Sequence, residues 1–150
     1  MYMSIIDDLK FGKANELVIK EMLDDMYHGT EFRVEIQKWE YSSFDYKVID
    51  KNDKIVHHYE LKTRRIKSNQ YPTLMFGSTK MDYAINNYKK NGGRYTFLWH
   101  CTIDNKLMGW EWNPAVKDYI NGFGQNKVRN EREKKCIHIP IELMTEFVYE

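Results

Sequence analysis

Two strand-like runs joined by a tight polar turn constrain this chain most. Phe44-Asp45-Tyr46-Lys47-Val48-Ile49 leads into Asp50-Lys51-Asn52-Asp53, and Ile55-Val56-His57-His58-Tyr59-Glu60-Leu61-Lys62 follows. Aromatic and β-branched residues favour a pleated strand, and Asp and Asn favour the turn between. A hairpin centred near Lys51 and Asn52 brings Asp45 opposite residues 58 to 60, within reach of Glu60. Glu60 and Lys62 are two apart, so both project from one face of their strand.

The rest of the pattern surrounds this hairpin. From about Phe11 to Tyr27, Ala14, Leu17, Val18, Met22 and Met26 recur at helical spacing, and Gly29 stops the run. From Glu31 to Glu40, Phe32, Val34, Ile36 and Trp39 suggest a strand, with Ser42-Ser43 turning into the Asp45 run. After Lys62 the chain is polar and irregular up to Gly77, carrying Gln70 and Tyr71 on a loop that either touches a ligand or fills space. A second helix is expected with Thr79 as N-cap, Asp82 as its capping partner, an apolar face of Met81, Ile85 and Tyr88, and a stop at Asn91-Gly92-Gly93. Tyr95 to Thr102 and Lys106 to Trp112 read as strands joined by an Asp104-Asn105 turn. Cys136 to Ile139 suggests a last short strand, and Pro140 opens a short closing helix through Phe147. Residues 113–135 have no clear reading.

The expected fold is therefore α/β (α+β): a single domain over residues 1–150, with a central mixed β-sheet flanked by helices in the order α-β-β-β-α-β-β plus a small C-terminal tail. No apolar run approaches the ~20 residues of a membrane span, and Met1 to Asp8 lacks the basic start and apolar core of a signal peptide. Cys101 and Cys136 have no metal spacing and read as small buried hydrophobes. A cytoplasmic protein with no membrane partner is the expectation.

The net charge of +1 neither announces nor excludes a polyanion partner, because an acidic centre within a basic rim cancels in the sum. Lys62, Arg64, Arg65 and Lys67 follow the hairpin acids directly and form the better phosphate-facing edge. A second cluster, Lys127, Arg129, Arg132, Lys134 and Lys135, is diluted by Glu131 and Glu133 and reads as a solvated loop. Two carboxylates held close together repel each other, and a hard cation such as Mg²⁺ relieves that repulsion through oxygen ligands. A metal-bound water becomes a nucleophile for a phosphodiester, with Lys62 placed to position it or to neutralise developing charge. The plain alternative is an ordinary cross-strand ion pair on a solvated sheet face. His57 and His58 face opposite sides of their strand and cannot chelate together.

With these residues in place, the chain resembles the PD-(D/E)XK nuclease superfamily, which includes restriction enzymes, Holliday-junction resolvases and some homing endonucleases. The resemblance spans roughly Phe11 to Trp112: a helix with Glu16, the aspartate Asp45, the acid-x-lysine Glu60-Leu61-Lys62, then a basic loop and a helix opening Ser78-Thr79-Lys80, as in small viral and phage members. Ile139-Pro140-Ile141-Glu142-Leu143 also resembles a closing segment of such proteins. Phe44 stands where the name-giving proline would be, a departure at a tolerant position. The resemblance implies a Mg²⁺-dependent DNA endonuclease, with Mn²⁺ able to substitute, acting in the cytoplasm of its own cell or of a host. It implies Asp45, Glu60 and the Leu61 carbonyl as metal ligands, Lys62 as the catalytic lysine, and Lys80, Arg64, Arg65, Lys67, Ser78 and Thr79 as DNA contacts. It further implies a homodimer or higher oligomer, since cutting two strands with one site per chain needs two chains. Glu16 stands between two roles, an additional metal ligand or an i,i+4 ion pair with Lys20. Lys80 is either a phosphate contact at a helix start or a surface lysine. The rival readings are a non-catalytic nucleic-acid-binding module retaining the fold, and a protein-interaction domain with a charged sheet face.

Overall fold

The computed structural model describes residues 5–37, 44–124 and 134–147, with side chains from residue 15 onward apart from 123, 124 and 134. Trp39, the Ser42-Ser43 turn and Lys127, Arg129, Glu131, Arg132 and Glu133 lie outside the described residues.

The first described element is a 23-residue helix, α1 (Ile5–Tyr27), stopped where Gly29 takes a φ of 78°. Strands β1 (Arg33–Ile36), β2 (Tyr46–Ile49) and β3 (Ile55–Arg64) follow as an antiparallel meander. The chain then runs through β4 (Thr73–Gly77) straight into α2 (Ser78–Asn91), returns as β5 (Arg94–Cys101), and turns at Asn105 into β6 (Lys106–Trp112). Strands β7 (Ile120–Gly124) and β8 (Lys134–Pro140), one 3-10 turn at Ile141–Leu143, and β9 (Thr145–Phe147) complete it.

The main sheet has the order β1-β2-β3-β5-β6-β9, and β4-β8-β7 forms a second, smaller sheet. Among the described residues of the main sheet only β3 and β5 pair in parallel, because a connection containing β4 and α2 carries the chain back to the same end. One face of that sheet packs Tyr46, Val48, Tyr59, Leu98 and Leu107 beneath Ile19, Met22 and Leu23 of α1. The other face packs Phe97, Trp99 and Trp110 against Met81 and Ala84 of α2 and against Leu74, Phe76, Ile137 and Ile139 of the second sheet. No helix among the described residues is long and apolar enough to cross a membrane.

The architecture is mixed α/β, with a larger share of strand than the sequence pattern indicates. The expected order α-β-β-β-α-β-β omits β4, β7 and β9. The stretch after β3 is irregular as expected only through Pro72; from Thr73 to Gly77 it is a strand, in which Leu74 and Phe76 are buried and pair with β8, more than sixty residues away. The expected closing helix is a single 3-10 turn, after which the chain pairs with β6 as β9. Thr79 is not the N-cap of α2; extended Gly77 holds that position without a side-chain cap, because β4 enters the helix directly. In α1 the buried stripe is Ile19, Met22 and Leu23, while Leu17, Val18 and Met26 are exposed. In α2, Met81 is buried but Tyr88 is exposed.

Candidate functional site

The β2–β3 hairpin sets the site. The Asp50 carboxylate accepts from the N–H groups of Asn52 (2.8 Å) and Lys54 (2.9 Å), and Asp53 takes a φ of 63°. This closed turn fixes Tyr46 opposite Tyr59 and places Asp45 beside Glu60 at the next step. The Asp45 carbonyl still accepts from the Gln37 N–H at 2.8 Å, while its side-chain Oδ2 accepts from the Leu61 N–H at 2.7 Å. A side chain thus replaces the backbone acceptor where the β2–β3 ladder ends. In an extended strand the N–H and C=O of one residue leave the same edge, so the Leu61 carbonyl also opens on the Asp45 side.

Glu60 is 2% exposed. Its Oε2 lies 3.3 Å from Lys62 Nζ and 3.5 Å from Lys80 Nζ, and its buried Oε1 has no hydrogen-bond partner among the described residues. Burial pushes the Glu60 carboxyl up to about 7, and the Asp45 charge adds to the rise, against the pull of Lys62 and Lys80. A carboxylate oxygen left buried without a donor is costly unless a cation meets it. The donor set fits a hard divalent ion: the Asp45 carboxylate, Glu60 Oε1 and the Leu61 carbonyl are all oxygens. Among the described residues no group of three or more His, Cys, Asp or Glu side chains forms a metal cluster, so the carboxylate pair would need backbone oxygen, water and substrate to complete a shell.

Tyr46 ties α1 to this corner, its hydroxyl donating to the Glu16 carbonyl at 2.6 Å. Burial raises the Tyr46 phenol strongly, and the negative charges of Glu16, Asp45 and Glu60 add to the rise. All three acids therefore act on one hydroxyl. Lys20, the ion-pair partner in one of the two roles open to Glu16, holds Asp24 at 2.7 Å. Nothing in the sequence pattern singles out Tyr46, although its place next to Asp45 on the opposite strand face is the signal that was available.

Lys80 reaches the site by a route the sequence does not show. It sits in the first turn of α2, and its side chain is 15% exposed as it points to Glu60. Arg64, Arg65, Lys67 and Thr79 are exposed, Ser78 is half-buried, and Arg64 Nη1 donates to the Thr63 carbonyl at 3.0 Å.

The paired histidines are internal. His57 lies 2.7 Å from Thr96 Oγ1, and burial followed by the Arg94 charge lowers its pKa to about 3. His58 stacks on Tyr95 with ring centroids 4.7 Å apart, and burial followed by Lys47 lowers it to about 4. Cys101 and Cys136 are both buried thiols. No family model matches the chain, and no curated protein matches it.

Proposed function

We infer that this chain is a divalent-metal-dependent DNA endonuclease acting through Asp45, Glu60 and Lys62, in the manner of the PD-(D/E)XK superfamily. The observation that carries the reading is the junction where Asp45 Oδ2 takes the Leu61 N–H while the neighbouring Glu60 keeps a buried oxygen with no donor among the described residues, beside two lysines. Mg²⁺, or Mn²⁺ in its place, supplies when bound a water of lowered pKa and positive charge at the scissile phosphate. Asp45, Glu60 and the Leu61 carbonyl are the residues that would hold it. Lys62 orients the attacking water or donates to a phosphate oxygen, and Lys80, at a helix start whose free N–H groups favour anions, supports the same phosphate. Arg64, Arg65 and Lys67 continue a basic edge for the DNA backbone, and a second copy of the chain would cut the second strand.

The test is incubation with supercoiled and branched DNA in Mg²⁺ or Mn²⁺. Wild type is expected to cleave, and Asp45→Ala and Lys62→Ala to lose at least about a hundredfold in rate, the scale of removing a positioned proton-transfer or charge-stabilising group. Cleavage unchanged in both variants overturns the site. Binding without cleavage by wild type would favour a non-catalytic DNA-binding module.

A further inference from the structure

Glu60, Lys62 and Arg64 alternate along one face of β3, and at about 3.3 Å per residue Arg64 lies roughly 7 Å beyond Lys62. Past Arg64 the surface hollows into a recess of about 310 Å³ between the two sheets. Tyr71, Pro72, Met75, Trp99 and His138 form its walls, and no acidic side chain among the described residues lines it. Tyr71 is 53% exposed and Met75 is exposed as well, an aromatic and a thioether left at the mouth of an apolar hollow with a guanidinium beside them.

The recess is held in shape. The Ser68 N–H and hydroxyl both donate to the Asp104 carboxylate, at 3.0 and 2.6 Å to Oδ2, which ties the loop to the β5–β6 turn. The Thr102 N–H donates to the Arg64 carbonyl (2.9 Å), and the Ile141 N–H to that of Pro72 (3.1 Å). The Trp99 indole N–H donates to the Met75 carbonyl at 3.0 Å, which fixes the rear wall. A pre-organised loop has less freedom to lose on binding.

We propose that this recess receives one unpaired nucleotide of the substrate strand, its base stacked on Tyr71 and its phosphate toward Arg64, so that the substrate class is DNA with an unstacked nucleotide beside the cleavage point, such as a flap, a single-stranded overhang or a branch. The proposal rests on the nuclease reading for the position of the cleavage point. The charge and chemistry of the recess match a nucleotide: a cation for phosphate, an aromatic face and apolar walls for a base. Its row of residues is continuous with Glu60 and Lys62. A base stacked within a duplex cannot enter such a hollow, whereas one already unpaired enters without the unstacking cost. Stacking on one aromatic face tolerates every base, so the preference is for structure and not for sequence.

Fluorescence anisotropy of the full chain in Ca²⁺, against a labelled flap duplex and a blunt duplex of equal length, tests this. Wild type is expected to bind the flap about tenfold or more tightly, and Tyr71→Leu to abolish that preference while Tyr71→Phe retains it. Equal wild-type affinity for both DNAs overturns the proposal. So does a Tyr71→Leu loss that is the same on both, which would make Tyr71 a loop-holding residue only. Cleavage of plasmid DNA without a flap preference removes the recess and leaves the nuclease reading. Flap preference without cleavage does the reverse.

Discussion

Asp45 Oδ2 and the backbone N–H of Leu61 are 2.7 Å apart, so one carboxylate both ends the β2–β3 ladder and faces the buried Glu60. The arrangement couples the stability of the hairpin end to the electrostatics of the site. Asp45 completes a backbone hydrogen bond and at the same time raises the pKa of its neighbour.

The first consequence separates folding from metal binding at Asp45. Asparagine keeps an oxygen acceptor for the Leu61 N–H, whereas alanine leaves that donor without it, a loss of about 1–3 kcal/mol. Asp45→Asn should stay within about 1 kcal/mol of wild type in urea unfolding while Mn²⁺ binding by calorimetry falls tenfold or more. Asp45→Ala should lose both. Unchanged Mn²⁺ affinity in Asp45→Asn would remove Asp45 from the ligand set.

Glu60 makes the site sensitive to pH. Its carboxyl is raised to about 7 in the folded chain, so the folded form keeps a proton that the unfolded form releases near the ordinary value of 4.5. Stability from this group is therefore greatest below that value and falls as pH rises to about 7, by on the order of 3 kcal/mol. Glu60→Gln should flatten the decline in denaturant titrations. Mg²⁺ added at pH 8 should raise the melting temperature of wild type and not of Glu60→Gln.

The two internal histidines act in the opposite direction. With pKa values lowered to about 3 and about 4, they stay neutral in the folded chain, while the unfolded chain protonates them below 6.5. Their contribution is complete above pH 6.5 and is lost as pH falls toward 4 and 3. Between pH 4.5 and 6.5 they offset Glu60. His58→Phe, which keeps a ring against Tyr95, should therefore shift the pH of maximum stability downward. A shift upward would show that His58 is charged in the folded state.

Gly109 lies beneath the ring of Phe147, and a Cβ there would overlap the ring. Because β9 is only three residues long, Gly109→Ala should displace Phe147 and weaken the β6–β9 pairing, at a cost of about 1–3 kcal/mol. Hydrogen exchange at residues 145–147 should accelerate, while protection in β3 and β5 remains. Wild-type protection at β9 in the variant would mean that the ring finds another position.

Features that depend on neighbours in sequence are legible in the chain itself. Asp50 to Asp53 specify their turn through Asp chemistry, Asn91-Gly92-Gly93 end α2 through positive φ at both glycines, and Glu60 and Lys62 share a face by the period of a strand. Those residues determine that Asp45 and Glu60 meet. What neighbouring sequence does not carry is pairing across long separations: β4 with β8, β9 with β6, and the parallel alignment of β3 with β5. The choice of buried stripe on α1 also waits for the sheet, because Leu17 and Val18 are as apolar as Ile19 and Leu23 and only packing decides between them. Lys80 is the sharpest case. Its sequence position marks a helix start near a basic loop, but it reaches Glu60 only because α2 lies across the sheet face that carries β3, and burial there turns a surface lysine into a partner of the buried acid.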